Sequence, residues 1–332
     1  MAHQYINQLR DTGQVDSIYV ISDKQLRPNK NGNLYLQYIV RDKTGSMSGR
    51  LWNITDTAQC NVENGDYVRV VGAVQNFQGA LQLITKKIIK VDPATVNEED
   101  YVTASHINIP HLRSRLKELT RTINDHELLS LADCIILDEE LMKQFCMTPA
   151  GVKLHHAYEG GLLEHTVTMM EVADRVASLY PILNRDMLLV GVFLHDIGKI
   201  REMTSGNEMV YTSQGQILGH PFLGVEILYE YIQKVEQLLG EPFDAEKAML
   251  LKHLLISHHG SYENNAARLP MTLEAIALHY IDSLDSKIAE FSKYIADDPN
   301  VGASWTNYIP GIDRKLYKFT MNRDKKEEEK KG

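Results

Sequence analysis

The sequence has few of the features that mark secreted, membrane-spanning or strongly basic proteins. Its three cysteines, Cys60, Cys134 and Cys146, are irregularly spaced and form neither a disulfide framework nor a CxxC motif. Its longest apolar run, Met187 to Leu194, has eight residues, whereas a helix that crosses a bilayer needs about 18. The first residues lack the basic-then-apolar pattern of a signal peptide. We therefore expect a cytoplasmic protein with no membrane partner.

Positive charge is also scarce overall, since the net charge is −9, but the charge is unevenly distributed. Residues 1–92 hold 11 basic and 8 acidic side chains, whereas residues 93–313 hold 16 basic and 32 acidic ones. Residues 314–332 are basic again, with 8 against 4. Twelve of the 13 histidines lie between His106 and His279, inside the acidic segment. Acidic residues and histidine concentrated in one segment are the composition of a metal site.

A chain of 332 residues predicts about two domains. Five β-type segments occupy residues 15–91, with a short helical segment at 54–60 between the third and the fourth, which is the order of an OB-fold barrel. From about His111 the apolar residues recur at helical spacing. We predict an OB-fold nucleic-acid-binding domain at 1–92, a linker and helical lead-in at 93–150, a helical catalytic domain at 151–295 and an extension with a charged tail at 296–332.

Proline, glycine and polar stretches divide the helical region into candidate helices. These cover residues 128–145, 162–179, 187–194, 224–239, 245–257 and 273–295. Residues 203–216 are polar and contain two glycines, which favours a loop or a small hairpin.

Histidine and aspartate recur at the ends of these predicted helices. They are His165, the pair His195-Asp196 in the run HDIGK, His220 in a Gly-His-Pro sequence, the pair His258-His259, and Asp282. Imidazole and carboxylate together suit Mn, Fe, Co, Ni or Zn better than Ca or Mg alone. One carboxylate can bridge two ions, and two ions about 3.5–4 Å apart can clamp the attacking and leaving oxygens of a phosphoryl displacement. Lys199, about one turn after Asp196, is placed to pair with a phosphate oxygen.

This ordered set resembles the HD-domain metal-dependent phosphohydrolases over about residues 160–285. An OB-type barrel ahead of such a domain is similar to the YhaM-type 3′→5′ exoribonucleases. The resemblance implies an all-β OB-fold barrel followed by an all-α HD-domain helical bundle. It also implies hydrolysis of single-stranded RNA, with single-stranded DNA as a further candidate, to nucleoside 5′-monophosphates from the 3′ end. A homo-oligomer is expected.

The resemblance further implies two divalent ions in one site. His165, His195, Asp196 and Asp282 would hold the first ion. Asp196, His220 and His258 would hold the second, with His259 either a further ligand or a supporting group. Mn is the favoured metal, and Co, Fe, Ni and Mg are alternatives. Asp196 and Lys199 are the expected catalytic residues of an in-line hydrolysis that needs no covalent intermediate.

The predicted barrel is expected to carry residues that bind single-stranded nucleic acid. OB-folds bind single strands by stacking bases on aromatic side chains beside a basic track. The candidates are Arg50 and Trp52, which share a strand face, together with Tyr35 or Tyr38, which strand alternation places on opposite faces. Alternation also predicts that Val68 and Val70 face the core.

Three further residues outside the barrel are candidate substrate contacts. His155 and His156 precede the helix of His165 and are candidate phosphate contacts, although a packing role is equally open. Trp305, in an aromatic C-terminal segment, is expected either to close over the substrate or to pack on its surroundings.

Two other functions remain open at this point. One is a cyclic-nucleotide phosphodiesterase or nucleotide phosphohydrolase. The cyclic-dinucleotide branch, however, carries a Gly-Tyr-Pro motif soon after HDIGK, where this chain has Ile200-Arg201-Glu202-Met203. The other is a non-catalytic RNA-binding protein, against which the intact set of candidate ligands argues.

Overall fold

The computed structural model describes residues 3–29, 32–54, 61–77, 80–97, 100–101, 107–151, 158–204, 211–298 and 303–318. These residues form two compact units, one ending at residue 101 and the other beginning at residue 107. Of the helical segment predicted at residues 54–60, Ile54 lies in a β-strand and residues 55–60 lie outside the described residues. The candidates His155 and His156 also lie outside them. In the ranges given above, no helix is long and apolar enough to cross a membrane.

The first unit is a closed five-stranded β-barrel. Its strands are β1 (Gln14–Pro28), β2 (Leu34–Asp42), β3 (Gly45–Ile54), β4 (Tyr67–Phe77) and β5 (Ala80–Lys90). They follow the order β1-β2-β3-β5-β4 around the barrel, with β3 parallel to β5 and the other neighbours antiparallel. Val68 and Val70 are fully buried in the barrel, as strand alternation predicts. The OB-fold prediction is thus confirmed.

Tyr38 belongs to the barrel core rather than to its surface. Its side chain is fully buried between Leu36 and Val40 in the inward-facing series of β2, and its hydroxyl hydrogen-bonds Thr85. A base cannot stack on a ring that is enclosed by the core, so the choice of Tyr38 as a strand-binding residue is wrong. Tyr35 has the opposite orientation on the same strand and is partly exposed.

The first unit continues beyond residue 92, where the sequence predicts the end of the barrel domain. The backbone carbonyl of Asp100 accepts a hydrogen bond from the Lys43 amide at 3.0 Å, and its carboxylate accepts one from the Tyr5 hydroxyl at 2.6 Å. The ring of Tyr101 packs edge-on against Tyr67, with centroids 5.0 Å apart. These contacts attach residues 100–101 to the barrel.

The described residues of the second unit form a bundle of α-helices. The helices are α1 (Ile109–Thr120), α2 (His126–Ile136), α3 (Glu139–Met147), α4 (Gly161–Leu179), α5 (Arg185–Leu194), α6 (Lys199–Glu202), α7 (Ser213–Leu239), α8 (Ala245–Ser257) and α9 (Leu273–Ala296). Their apolar faces share one core, in which Phe145 and Phe193 pack edge to face. The predicted all-α architecture is confirmed.

Two predicted helices have bounds that differ from the structure by more than two residues. The candidate at 128–145 is divided into α2 and α3, because the Asp138 carboxylate accepts the Leu141 amide at 3.1 Å and thereby caps a new helix. Helix α7 begins at Ser213, within the segment predicted as a loop or hairpin, although Met203 and Tyr211 do form an antiparallel bridge ahead of it. A kink at Gly219, where φ is 74°, then redirects α7 just before His220.

Candidate metal centre

The predicted ligands come from five helices of the second unit. His195 and His258 are the C-cap residues of α5 and α8, and His165 lies in the second turn of α4. His220 follows the kink in α7. Asp282 lies inside α9 rather than at a helix end, which differs from the prediction.

These side chains form two clusters, in each of which one ligand atom per residue lies within 4.8 Å of the others. The clusters are His165, His195 and Asp282, and His220, His258 and His259. In both clusters two members are buried and one is partly exposed. Each cluster therefore offers three donors to one cation.

Asp196 lies between the two clusters and is itself buried. Its Oδ2 is 3.4 Å from Nε2 of His195, and its Oδ1 is 3.2 Å from Nε2 of His220. Oδ2 also lies 3.8 Å from Nε2 of His165, and Oδ1 also lies 3.7 Å from Nε2 of His258. A carboxylate in this position can donate one oxygen to each of two cations.

Two of the histidines are oriented by the ends of their own helices. Nδ1 of His195 lies 2.7 Å from the carbonyl oxygen of Val192, and Nδ1 of His258 lies 2.7 Å from that of Leu255. A carbonyl oxygen only accepts hydrogen bonds, so Nδ1 must carry the proton in both rings. Nε2 is then left as the lone-pair nitrogen that is available to bind a metal ion.

Two other histidines contact carboxylates that were not predicted from the sequence. Nδ1 of His165 lies 2.6 Å from Oδ2 of Asp285, and Nδ1 of His220 lies 3.1 Å from each carboxylate oxygen of Glu202. Carboxylate–histidine–metal arrangements of this kind orient the ring and raise its basicity. Asp285 carries a signal in the sequence, because it lies three residues after Asp282 on the same helix face. Glu202 carries no comparable signal.

The charges of the site favour a cation. Burial lowers the pKa of His165, but the carboxylates of Asp282 and Asp285 outweigh it and raise that pKa to about 9. Burial raises the pKa of Asp196, but the positive charge of Lys199 holds it well below its usual range. Burial lowers the pKa of His258 and keeps its ring neutral, which is the form that binds metal.

Unsatisfied polar atoms provide a direct test of whether a metal ion fits. Nε2 of His195 and Nδ1 of His259 are buried without a hydrogen-bond partner. Buried polar atoms of this kind are rare unless a water or an ion satisfies them. The donor set of imidazoles and carboxylates matches the first-row divalent ions. The residues present therefore fit a divalent metal centre.

Lys199 contacts protein acceptors at this centre. Its Nζ lies 2.6 Å from Oδ2 of Asp196 and donates a hydrogen bond to the carbonyl of Ala150. The side chain is buried, but it also lines an adjacent cleft. The predicted contact of Lys199 with a phosphate stays a prediction.

Gly198 permits the close approach of two elements that carry site residues. A Cβ atom at this position would lie 2.0 Å from the backbone oxygen of His220 and 2.5 Å from the backbone nitrogen of Gly224. Any larger residue would push α7, and with it His220, away from Asp196. The glycine of the HDIGK run thus has a packing function.

The barrel carries a separate cluster of aromatic and basic side chains on its outer surface. The rings of Tyr35 and Trp52 stack with centroids 4.7 Å apart and planes at 30°. The guanidinium of Arg50 lies 5.6 Å from the centroid of Trp52 and 5.8 Å from that of Phe77, both of which are exposed. These four residues, which we call the barrel patch, include three predicted ones, and Phe77 is an addition. They lie on β2, β3 and the end of β4.

Trp305 lies in the C-terminal segment at residues 303–318. Its ring packs edge to face against Tyr317, with centroids 5.1 Å apart, and about half of it is exposed. A role of Trp305 over the substrate remains a prediction.

The fold and the site define a phosphohydrolase of the HD type, and the family model described as "HD domain" matches residues 162–287. Such a domain is a metal-dependent phosphohydrolase. Proteins named 3′-5′ exoribonuclease YhaM are similar to this chain over most of its length. Those of Bacillus velezensis and Bacillus subtilis are each 31% identical over 83% of this chain and 85% of their own. The one of Listeria welshimeri is 28% identical over 86% of this chain and 89% of its own. The chain belongs to the YhaM family.

Among solved structures, the barrel is similar to the second OB-fold domain of replication protein A from Methanococcus maripaludis. That match is 23% identical and covers 27% of this chain and 96% of the other, with a TM-score of 0.23. The OB-fold assignment made above rests on the closed barrel and its strand order.

Proposed function

We propose that this protein is a metal-dependent exonuclease that removes nucleoside 5′-monophosphates from the 3′ end of single-stranded RNA, and of single-stranded DNA as a second substrate. The observation that carries the proposal is the position of Asp196 between two histidine clusters. The names of the family members support the direction of cleavage and the choice of RNA.

Two sets of side chains support the binding of two divalent ions. His165, His195 and Asp282 would hold one ion, and His220, His258 and His259 the other, with Asp196 shared. We favour Mn, with Co, Fe, Ni and Mg as alternatives. When bound, such ions supply Lewis acidity and lower the pKa of a bound water. The Nδ1 contacts of His165, His195, His220 and His258 would keep these four rings in the tautomer and orientation that binding requires.

Hydrolysis adds the oxygen of a water molecule to the terminal phosphorus and breaks its bond to the 3′ oxygen of the preceding nucleotide, which leaves with a proton. An ammonium group has three N–H donors. Lys199 uses two of them on Asp196 and Ala150. Its third is available to a phosphate in the cleft that Lys199 lines, where it would hold the terminal phosphate in place.

The barrel patch would bind the strand. Stacked aromatic rings beside a guanidinium form a surface on which bases stack with little dependence on sequence. The patch lies on the strands that OB-folds use for oligonucleotides. The barrel would then bind the nucleic acid, while the metal centre would hydrolyse its 3′ end.

The proposal is tested by product analysis with single-stranded RNA labelled at its 3′ end. With Mn²⁺ the labelled product should be a mononucleotide from the first turnover onward, and a chelator should abolish it. Internal cuts, or no product with any divalent metal, would contradict the proposal. Cleavage of cyclic nucleotides at a rate independent of the barrel patch would favour the phosphodiesterase alternative, and RNA binding without cleavage would favour a non-catalytic protein.

Two further expectations accompany the proposal. We expect the protein to act in the cytoplasm and to form a homo-oligomer. Light scattering on the purified full chain measures the oligomeric state directly, and a monomer at micromolar concentration would contradict the second expectation.

A further inference from the structure

A cleft of about 800 Å³ opens beside the metal centre, within the second unit. One part of its wall is polar and includes Lys199, His220 and His259. Another part is apolar and includes Tyr211, Leu218 and Phe222. The volume falls within the range of about 300–1,000 Å³ that is typical of small-ligand sites.

The apolar wall is open to solvent. Tyr211, Leu218 and Phe222 are 47%, 41% and 53% exposed. Grouped apolar side chains that remain open to solvent mark a surface that another molecule covers. Here they share a cleft with candidate metal ligands, so the covering molecule must have an apolar part next to a group that metal ions attract.

The backbone fixes this wall relative to the metal centre. Tyr211 is bridged to Met203, the residue directly after α6, which carries Lys199 and Glu202. The next amide, that of Thr212, donates to the carbonyl of Glu202 at 2.9 Å. Leu218 and Phe222 lie two residues before and two residues after His220, on either side of the kink at Gly219. The distance between the wall and the cation site is therefore set by short, hydrogen-bonded connections.

We propose that the cleft holds the terminal nucleotide of the substrate, with its base on the wall formed by Tyr211, Leu218 and Phe222 and its phosphate toward Lys199 and His220. This inference rests on the proposed function and adds the subsite that positions the scissile bond. A purine or pyrimidine has apolar faces that stack on aromatic rings whatever its identity. The cleft would therefore accept any of the four bases, as an enzyme that shortens a strand step by step requires.

Binding of two small probes tests the assignment without relying on catalysis. The probes are 5′-AMP and ribose 5-phosphate, which share the phosphate and differ in the base. With the Mn²⁺-loaded full chain in a calorimeter, we expect 5′-AMP to bind about 10- to 100-fold more tightly, as expected for one stacked base. The Phe222→Ala variant should lose most of this preference, and Phe222→Trp, which retains a ring, should keep it.

Tyr229→Ala is the matched control. Tyr229 lies on the same helix as Phe222, has the same 53% exposure and is not among the described residues that line the cleft. The Tyr229→Ala variant should bind both probes with the affinities of the wild type. The manganese content of all variants should be equal.

The outcomes separate the subsite from the proposed function. Equal affinity of the wild type for the two probes would overturn the subsite, as would an unchanged preference in Phe222→Ala. A wild type that shows the preference but releases no mononucleotides from RNA would contradict the exonuclease activity and retain the nucleotide site.

Discussion

Oδ1 of Asp196 lies 3.2 Å from Nε2 of His220, while the other oxygen of the same carboxylate faces the opposite cluster. Asp196 directly follows His195 at the C-terminal end of α5, so one helix end provides two neighbouring candidate ligands. This arrangement links the two clusters through one buried carboxylate. Substitutions of residues around Asp196 should therefore weaken metal binding to different extents.

The carboxylates behind the histidines should tune metal affinity. Glu202→Gln and Asp285→Asn keep the size of each side chain but weaken the hydrogen bond that orients His220 or His165. We expect each variant to bind Mn²⁺ about 10- to 100-fold more weakly. Titration of the metal-free protein by calorimetry measures this effect.

Glu230→Gln is the control for these variants, because Glu230 is an exposed carboxylate of α7 that pairs with Arg201 at 2.7 Å. Its manganese affinity should equal that of the wild type. If Glu202→Gln did likewise, Glu202 would have no part in orienting His220.

Lys199 should contribute more to the stability of the metal-free protein than to that of the metal-loaded one. Lys199→Met leaves the buried carboxylate of Asp196 without its ammonium partner, which should cost about 3–5 kcal/mol in the free energy of unfolding. Bound Mn²⁺ replaces part of the lost positive charge, so it should stabilise this variant more than the wild type. Denaturant unfolding with and without Mn²⁺ tests both statements.

Lys234→Met provides the comparison. Lys234 is a half-exposed lysine that pairs with Asp138 at 3.3 Å, and exposed pairs contribute about 0–1 kcal/mol. A Lys199→Met protein no less stable than Lys234→Met would show that the Lys199–Asp196 pair does not stabilise the fold.

The barrel patch should determine affinity for single strands without affecting the chemistry. Trp52→Ala removes a stacking surface and should weaken binding of single-stranded RNA by about 1–3 kcal/mol. Tyr38→Phe removes only a buried hydroxyl, so it should cost about 1 kcal/mol of stability and leave RNA affinity unchanged. Fluorescence anisotropy with a chelator present measures affinity without degradation. Equal weakening by the two substitutions would contradict the assignment of the patch.

Asp138 should make the stability of the helical unit depend on pH. Hydrogen bonds from the Tyr231 hydroxyl and the Leu141 amide lower the pKa of Asp138, and the nearby ammonium group of Lys234 lowers it further. Because its pKa is lower in the folded state, its contribution is present above the unfolded value of about 3.9 and is lost as pH falls through the folded value. Asp138→Ala should cost about 1–2 kcal/mol at pH 7. Thermal melts at decreasing pH should show the difference narrowing, and a constant difference would contradict this role.

Sequence patterns predicted the local elements and the residues that cluster at the candidate metal centre well, because both depend on short-range spacing. The alternation of β2 and β4 and the HDIGK run each carry their information within a few residues. The division between α2 and α3 was missed because apolar periodicity continues across Asp138, and only its capping hydrogen bond ends one helix and begins the next.

Contacts between distant segments were harder to predict. Glu202 reaches His220 only because the kink at Gly219 turns the chain back toward α6, and no spacing rule encodes that approach. Tyr38 and Tyr35 could be placed on opposite faces from the sequence, but which of them faces outward depends on how the barrel closes.

The number of manganese ions per chain tests the central claim, that Asp196 serves two cation sites, most directly. Titration of the metal-free full chain should show two Mn²⁺ per chain. Asp196→Asn should weaken the binding of both ions. The control Asp174→Asn alters a carboxylate of α4 that pairs with Arg185, and it should change the binding of neither ion. One ion per chain in the wild type, or an Asp196→Asn variant that still binds two with unchanged affinity, would contradict the claim.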